Sequence, residues 1–130
     1  MNVELLLDTH VLLWWLSDDE RLSKRARAAL QSAKNERFVS IATAWELAIK
    51  VSLGRLKLPT AVGRFLADQL PSNAMSLLAL SLYDVDLVER LPFHHRDPFD
   101  RLMAAQALER NLVMVSIDPI FEQYGVDRIW

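Results

Sequence analysis

Short apolar runs alternate along the chain with longer segments in which apolar residues recur at helical spacing. The runs at 3–7, 37–41, 75–80 and 112–117 predict strands, and the tail at 126–130 predicts a last edge strand. Helices are predicted at 10–16, 23–34, 43–53, 60–69, 81–91 and 97–108. Because such alternation is typical of a mainly parallel sheet covered on both faces, we predict an α/β fold. Residues 1–130 should form a single domain, a three-layer α/β/α sandwich around four or five strands.

The helix at 97–108 has a strongly marked start. Asp97 suits the N-cap, and Pro98 suits the first helical position, where its missing N–H costs nothing. Asp100 then falls at the third position, where a carboxylate favours the helix dipole. The remainder is apolar nearly all round, which is typical of a buried helix. Acidic side chains at the start of a buried helix suggest chemistry there, and we favour Asp100 as a ligand because capping occupies Asp97.

The composition excludes several classes of protein. There is no cysteine, which rules out disulfide frameworks, zinc–thiolate sites and thiol catalysis. The N-terminus lacks the basic segment of a signal peptide, and no apolar stretch reaches the roughly 18 residues of a membrane span. We therefore expect a cytoplasmic protein with no membrane partner. The net charge of −2 decides nothing about nucleic acid, since an enzyme that holds cations among its own carboxylates need not be basic.

Four carboxylates stand near the ends or starts of predicted elements: Asp8, Glu46, Asp100 and Asp118. Taken singly, each has an ordinary explanation, namely capping, the helix dipole or, for Glu46, an ion pair with Lys50 four residues later. Asp8 and Asp118, however, both follow strands, and the carboxyl ends of parallel strands face one edge of a sheet, where ligands bind. The other two can reach the same crevice from their helices.

Carboxylates that converge in this way require a cation. At an effective dielectric of about 20, two charges about 5 Å apart repel by roughly 3 kcal/mol. Several such pairs would approach the whole stability of a small domain, about 5–15 kcal/mol. Ligands that are all oxygen suit Mg²⁺, with Mn²⁺ as a substitute, rather than zinc or copper. The four carboxylates therefore predict a divalent-metal site.

Four blocks of the sequence, in this order and at this spacing, resemble the PIN-domain family and specifically its VapC-type toxin ribonucleases. The blocks are Leu7-Asp8-Thr9-His10, residues 40–54 with Trp45-Glu46, residues 95–107 with Asp97-Pro98-Phe99-Asp100-Arg101, and Val115-Ser116-Ile117-Asp118. The resemblance covers essentially the whole chain, and it implies that the four carboxylates bind the metal. It also implies supporting roles for Thr9 and for Ser116, which stands where the family often has Thr.

The activity implied by the resemblance is that of a Mg²⁺-dependent endoribonuclease, the toxin of a toxin–antitoxin pair restrained by a cognate antitoxin. Cleavage of the RNA would leave a 3′-hydroxyl and a 5′-phosphate. The alternative is a catalytically inactive PIN-like scaffold that binds RNA or protein, although degeneration should remove part of the acidic quartet and none is missing. A phosphoacceptor signalling domain would need an acidic residue after the third strand, where this chain has Ser81.

Four residues beside the predicted site have open roles. Arg96 and Arg101 are candidates for contacts with RNA phosphates, but each could equally pair with a nearby carboxylate. His94 and His95 could bind metal or position phosphate, or they could be ordinary surface residues.

Two sets of apolar residues indicate partner surfaces. Trp14 and Trp15 diverge by about 100° on a helix, so they cannot both face one core, and one should serve a partner surface. The next long helix also carries more apolar residues than one core face needs: Trp45, Leu47, Ile49 and Leu53. We therefore expect a homodimer and a groove that accepts an apolar segment of the antitoxin.

Overall fold

The computed structural model describes residues 2–130, which form five strands and seven helices. The strands are β1 (Glu4–Leu7), β2 (Glu36–Ser40), β3 (Met75–Leu78), β4 (Val113–Val115) and β5 (Arg128–Ile129). The helices are α1 (Thr9–Leu16), α2 (Lys24–Gln31), α3 (Ile41–Ser52), α4 (Val62–Ser72), α5 (Leu82–Arg90), α6 (Pro98–Arg110) and α7 (Ile120–Gln123). None of these helices has the length and apolar character needed to cross a membrane.

All five strands lie in one sheet in the order β3-β2-β1-β4-β5, and every neighbouring pair is parallel. The predicted α/β fold with a parallel central sheet is confirmed. The chain builds outward from β1 to β2 and β3 on one side, then returns to add β4 and β5 on the other. The strand order therefore reverses between β1 and β4. In open parallel sheets, ligands bind beyond the carboxyl ends of the strands at such a point.

Helices cover both faces of the sheet, as the three-layer prediction requires. Alternation along β1 sends Leu5 and Leu7 into one hydrophobic core and Leu6 into the other. The first core is closed by residues of α1, α2 and α4, and the second by residues of α6 and α7. Three alanines of α6 are buried there, and their small side chains let the helix approach the sheet closely: Ala104, Ala105 and Ala107.

The start of α3 differs from the prediction because a hydroxyl caps the helix earlier. The Ser40 hydroxyl accepts a hydrogen bond of 3.0 Å from the backbone N–H of Ala42, so the helix begins at Ile41 rather than Thr43. The predicted end is close to the observed one. Gly54 follows the helix with φ of +72°, a conformation that glycine adopts without a steric penalty.

Other predicted boundaries also shift. Thr60 does not cap α4, because its hydroxyl donates to the carbonyl of Ala61, and the helix begins at Val62 without a side-chain cap. Strands β3 and β4 each end 2 residues before the predicted ends. The structure also contains a short helix, α7, that the sequence pattern does not predict.

The apolar run of α3 is divided between core and surface. Leu47 is fully buried and is the member of the run that faces the core. Trp45 is 61% exposed and Leu53 60%, and Ile49 is also exposed. The outer face of α3 is therefore apolar and uncovered in a single copy of the chain.

The two tryptophans of α1 point in different directions, as helical geometry requires, and both are half-buried. Trp14 packs against Trp130 with ring centroids 5.8 Å apart. Trp15 donates its indole N–H to the side-chain oxygen of Asn73 at 3.1 Å. Each ring thus makes a contact within the protein and also exposes part of its surface to solvent.

Candidate metal site

Asp8 and Asp118 are joined through one hydroxyl, that of Ser116. Asp8 follows β1, and its Oδ1 accepts a 2.7 Å hydrogen bond from the N–H of Thr9 at the start of α1. Ser116 follows β4, and its Oγ donates to Oδ2 of Asp8 at 2.7 Å while accepting from the N–H of Asp118 at 3.0 Å. These bonds span the point between β1 and β4 where the strand order reverses.

Glu46 reaches the same edge of the sheet from α3. The hydroxyl of Thr9 donates to Oε1 of Glu46 at 2.7 Å, and Nζ of Lys50 lies 3.1 Å from Oε2. The predicted ion pair between Glu46 and Lys50 is thus present. The Thr43 hydroxyl lies 3.1 Å from that of Thr9. The Thr43 proton has two acceptors within reach, the hydroxyl of Thr9 and Sδ of Met103 at 3.7 Å, while the proton of Thr9 goes to Glu46.

Asp97 and Asp100 take the positions predicted for the start of α6. Oδ1 of Asp97 accepts hydrogen bonds from the N–H groups of Phe99 at 2.8 Å and Asp100 at 3.0 Å, with Pro98 in the first turn. The predicted N-cap is confirmed. The carboxylate of Asp100 has no capping role, and its Oδ2 lies 2.8 Å from Nε2 of His95 in the preceding loop.

The closest cluster of potential ligand atoms is not the predicted quartet. Among residues 2–130, only His95, Asp97 and Asp100 form a trio of Asp, Glu or His whose ligand atoms all lie within 4.8 Å of one another. Within the same residues, no three of the four quartet carboxylates meet that distance. Hydroxyls instead connect three members of the quartet: Ser116 connects Asp8 with the backbone of Asp118, and Thr9 binds Glu46. Asp100 is close enough for the charge of Asp8 to affect its pKa.

Burial and mutual repulsion raise the pKa of two carboxylates of the quartet. Burial raises the pKa of Asp8, and the charge of Glu46 adds to this, although hydrogen bonds from Ser116 and Thr9 oppose the shift. Burial also raises the pKa of Asp100 to about 7, together with repulsion from Asp8 and Asp97 and against the opposing effect of His95. Both carboxylates are therefore placed where an added positive charge would stabilise their ionised form.

Arg101 is buried, whereas a contact with an RNA phosphate, one of its two predicted roles, requires an exposed side chain. The residue is only 6% exposed. Its guanidinium donates to the carbonyls of Pro92 at 2.9 Å and Val88 at 3.1 Å and to the hydroxyl of Tyr124 at 3.2 Å. These bonds use the donor groups inside the protein, so Arg101 is not available to RNA. Arg96 is exposed and remains a candidate for a contact with an RNA phosphate.

Sequence reasoning did not find Thr43 and left the role of His95 open. Thr43 lies three residues before Glu46, so helical spacing places the two on one face of α3, and this signal was present in the sequence. His95 is different, because the loop that brings its ring to Asp100 has no periodicity that predicts a side-chain direction.

The fold and the site define a class: a parallel α/β protein with acidic side chains gathered at the carboxyl edge where the strand order reverses. Comparison with known proteins identifies the family. The PIN domain family matches residues 5–127, and the chain therefore belongs to that family.

Individual relatives agree with this assignment. Ribonuclease VapC22 of Mycobacterium tuberculosis is 31% identical over 113 residues, which are 87% of this chain and 85% of that protein. The structure of VapBC2 from Rickettsia felis, bound to a DNA fragment from its promoter, contains a chain that matches with a TM-score of 0.71 at 15% identity over 97% of both chains. FitAcB from Neisseria gonorrhoeae matches with a TM-score of 0.59 at 19% identity over 95% of both chains. These structural likenesses support the fold.

Proposed function

We propose that this protein is a Mg²⁺-dependent endoribonuclease and the toxin of a toxin–antitoxin pair. The observation that supports the proposal is the hydrogen bonding of Asp8, Glu46 and the backbone of Asp118 through Ser116 and Thr9. Asp100 lies close enough for the charge of Asp8 to raise its pKa. The similarity to Ribonuclease VapC22 and the membership of the PIN domain family support the same activity. The whole chain would act as one PIN domain.

The residues present fit a hard divalent cation. Asp8 is 8% exposed, and its hydrogen bonds come from a hydroxyl and a backbone N–H, neither of which carries a full positive charge. Asp8, Asp100 and Asp118 would hold the ion, with Glu46 completing the set. These donors are all oxygens, which suits Mg²⁺ and also Mn²⁺. When bound, the ion would supply charge stabilisation on the cleaved phosphodiester and activation of a water.

The chain's own residues have separable tasks in this proposal. Ser116 holds Asp8 and the backbone of Asp118 in a fixed relation across the strand reversal. Thr9 holds one oxygen of Glu46, and Lys50 pairs with the other, so that this carboxylate has a fixed orientation from which it can orient a water. Exposed Arg96 provides a candidate contact for an RNA phosphate. Cleavage would leave a 3′-hydroxyl and a 5′-phosphate.

A groove beside α1 fits an apolar segment of an antitoxin. It has a volume of about 420 Å³ and begins at His10, two residues beyond Asp8. Most of its lining is apolar and comes from α1, the α3–α4 connection and α4: Leu13, Trp14, Leu16, Leu56, Leu58 and Phe65. A segment that filled this groove would lie against the helix that follows Asp8, which would place an inhibitor close to the carboxylates.

A second apolar surface fits a homodimer. A concavity of about 480 Å³ lies between α3, the end of β3 and α6. Its lining is almost entirely apolar: Ile41, Ala42, Trp45, Leu77, Ala79, Leu80 and Leu102. Several of these side chains are about half-exposed, and exposed apolar surface of this kind is typical of an interface between protein copies.

The experiment that tests the activity is an RNA cleavage assay with the purified chain. We expect cleavage of a single-stranded RNA with Mg²⁺ or Mn²⁺ and none after chelation. Asp8→Asn should reduce the rate by about 100-fold or more, since loss of a residue that only supports a metal ligand already costs about 10–100-fold. Asp68→Asn, which changes an exposed carboxylate on α4, is the matched control and should cleave as the parent does. A folded parent without activity on any RNA, with intact RNA binding, would favour the inactive scaffold instead.

A further inference from the structure

The loop between α5 and α6 is held firmly on the side that leads to His95. The buried guanidinium of Arg101 donates to the carbonyls of Val88, Leu91 and Pro92, at 3.1, 3.3 and 2.9 Å. An arginine with several donors in a fixed planar arrangement can fix several carbonyls at once. The helix that carries Asp100 therefore holds the end of α5 and the start of the loop, up to Pro92, from which the chain continues to His95.

The two histidines of this loop have different surroundings. Nε2 of His95 lies 2.8 Å from Oδ2 of Asp100, and the two side chains are 31% and 17% exposed. The ring of His94 packs instead against Tyr124, with centroids 5.0 Å apart and an edge-on geometry. His94 is therefore a suitable control for His95, because its ring packs on an aromatic residue and that of His95 contacts the Asp100 carboxylate.

We propose that His95 is a positioning residue for Asp100: its imidazole binds Oδ2 and leaves Oδ1 for the divalent cation. The proposal rests on the proposed function, because it assigns a task towards the cation held by the quartet. Among residues 2–130, His95 is the only side chain that hydrogen-bonds to the Asp100 carboxylate. Its backbone N–H belongs to the cap made by Asp97, which fixes the helix but not the side chain.

The physical reason for such a residue is the freedom of a carboxylate. A carboxylate rotates about its terminal torsion over a broad range, so a ligand oxygen is poorly placed unless a second group holds the other oxygen. Carboxylates that bind metals are accordingly hydrogen-bonded in their turn, and loss of such a partner typically costs 10–100-fold in metal affinity. An imidazole N–H serves this purpose, whereas a direct nitrogen ligand would be unusual for Mg²⁺.

The test is the affinity for Mn²⁺ alone, measured by isothermal titration calorimetry on the full chain. His95→Ala removes the hydrogen bond, and His95→Gln offers an amide N–H at a similar reach. His94→Ala is the matched control. We expect a dissociation constant about 10–100-fold higher for His95→Ala, and values close to the parent for His95→Gln and His94→Ala. Recovery in the glutamine variant would separate positioning from a general loss of structure.

Three results would overturn the inference, and they have different meanings. Equal Mn²⁺ affinity in the parent and in His95→Ala would remove the role of His95 while leaving the proposed function intact. A ¹⁴N coupling to bound Mn²⁺ in pulsed electron paramagnetic resonance, lost in both His95 variants, would make His95 a direct ligand rather than a positioning residue. A parent that binds no Mn²⁺ would overturn the proposed metal dependence and this inference together.

Discussion

The hydroxyl of Ser116 lies 2.7 Å from Oδ2 of Asp8, a residue 108 positions away in the chain. The bond joins the ends of β1 and β4, and the same oxygen accepts the N–H of Asp118. One small side chain therefore sets the relation between two acidic residues from opposite ends of the sequence. This is possible because parallel pairing places the carboxyl ends of β1 and β4 side by side.

Replacement of Ser116 tests that relation. Ser116→Ala should lower the free energy of unfolding by about 1–3 kcal/mol, because the Asp8 carboxylate loses a buried hydrogen-bond donor. The same change should raise the pKa of Asp8 further, since the hydroxyl opposes the effect of burial. Chemical denaturation of Ser116→Ala and Ser116→Thr checks the idea, as threonine keeps the hydroxyl. Equal losses in both variants would show that packing, not the hydrogen bond, matters at this position.

The sequence predicts the part of this site that depends on local patterns. The cap at Asp97, Pro98 in the first turn and the position of Asp100 follow from helix-start preferences, and the positions of Asp8 and Asp118 follow from the ends of apolar runs. Side-chain contacts made from loops cannot be predicted in this way. The spacing of residues in a loop does not show that the ring of His95 turns towards the Asp100 carboxylate.

The burial of Arg101 is a second feature that the sequence does not predict. On a helix that is apolar nearly all round, a charged residue next to an acidic site is naturally assigned to the surface. The structure buries it, because backbone carbonyls of the loop before α6 and the Tyr124 hydroxyl accept its N–H groups. Unpaired carbonyls arise from the path of the loop, and sequence periodicity carries no information about that path.

Two substitutions at Asp97 separate its capping role from its charge. Asp97→Asn keeps a good N-cap and removes a charge that repels Asp100, so its stability should equal or slightly exceed that of the parent. Asp97→Ala removes the cap and should be about 1 kcal/mol less stable than Asp97→Asn. Urea unfolding of the three proteins measures the difference. If Asp97→Asn abolished RNA cleavage as fully as Asp100→Asn, then Asp97 would be the metal ligand instead.

A charge placed in the concavity of α3, β3 and α6 tests the proposed homodimer. Leu77 lines it and is 49% exposed, so Leu77→Glu should fold as a monomer but lose dimerisation. Ala67→Glu is the control, since Ala67 is exposed on α4 and lies outside that lining. Light scattering after size exclusion should give a dimeric parent, a monomeric Leu77→Glu and a dimeric Ala67→Glu. A parent that is monomeric at all accessible concentrations would contradict the proposal.

Asp100 should make the metal-free protein less stable as the pH rises. Its pKa is about 7 in the fold against the ordinary value of 3.8 for an unperturbed aspartate, so between these values the folded state holds a proton that the unfolded state has lost. The stability that this group contributes is fully present below about pH 4 and is lost as the pH rises through 7. Urea unfolding with a chelator should therefore show the parent weakening relative to Asp100→Asn across this range. A difference between the two proteins that does not change with pH would exclude the shift.

The most direct test of one shared cation site is thermal unfolding of the parent and Asp100→Asn, each with a chelator and with Mg²⁺ or Mn²⁺. Without metal at neutral pH, the variant should be more stable by about 1–3 kcal/mol, the repulsion of one close charge. Added metal should raise the Tm of the parent and of the control Asp68→Asn, because a ligand stabilises only the state that binds it. The Tm of Asp100→Asn should barely change. Equal Tm values without metal, together with no metal-dependent shift in either protein, would contradict the account of a single site.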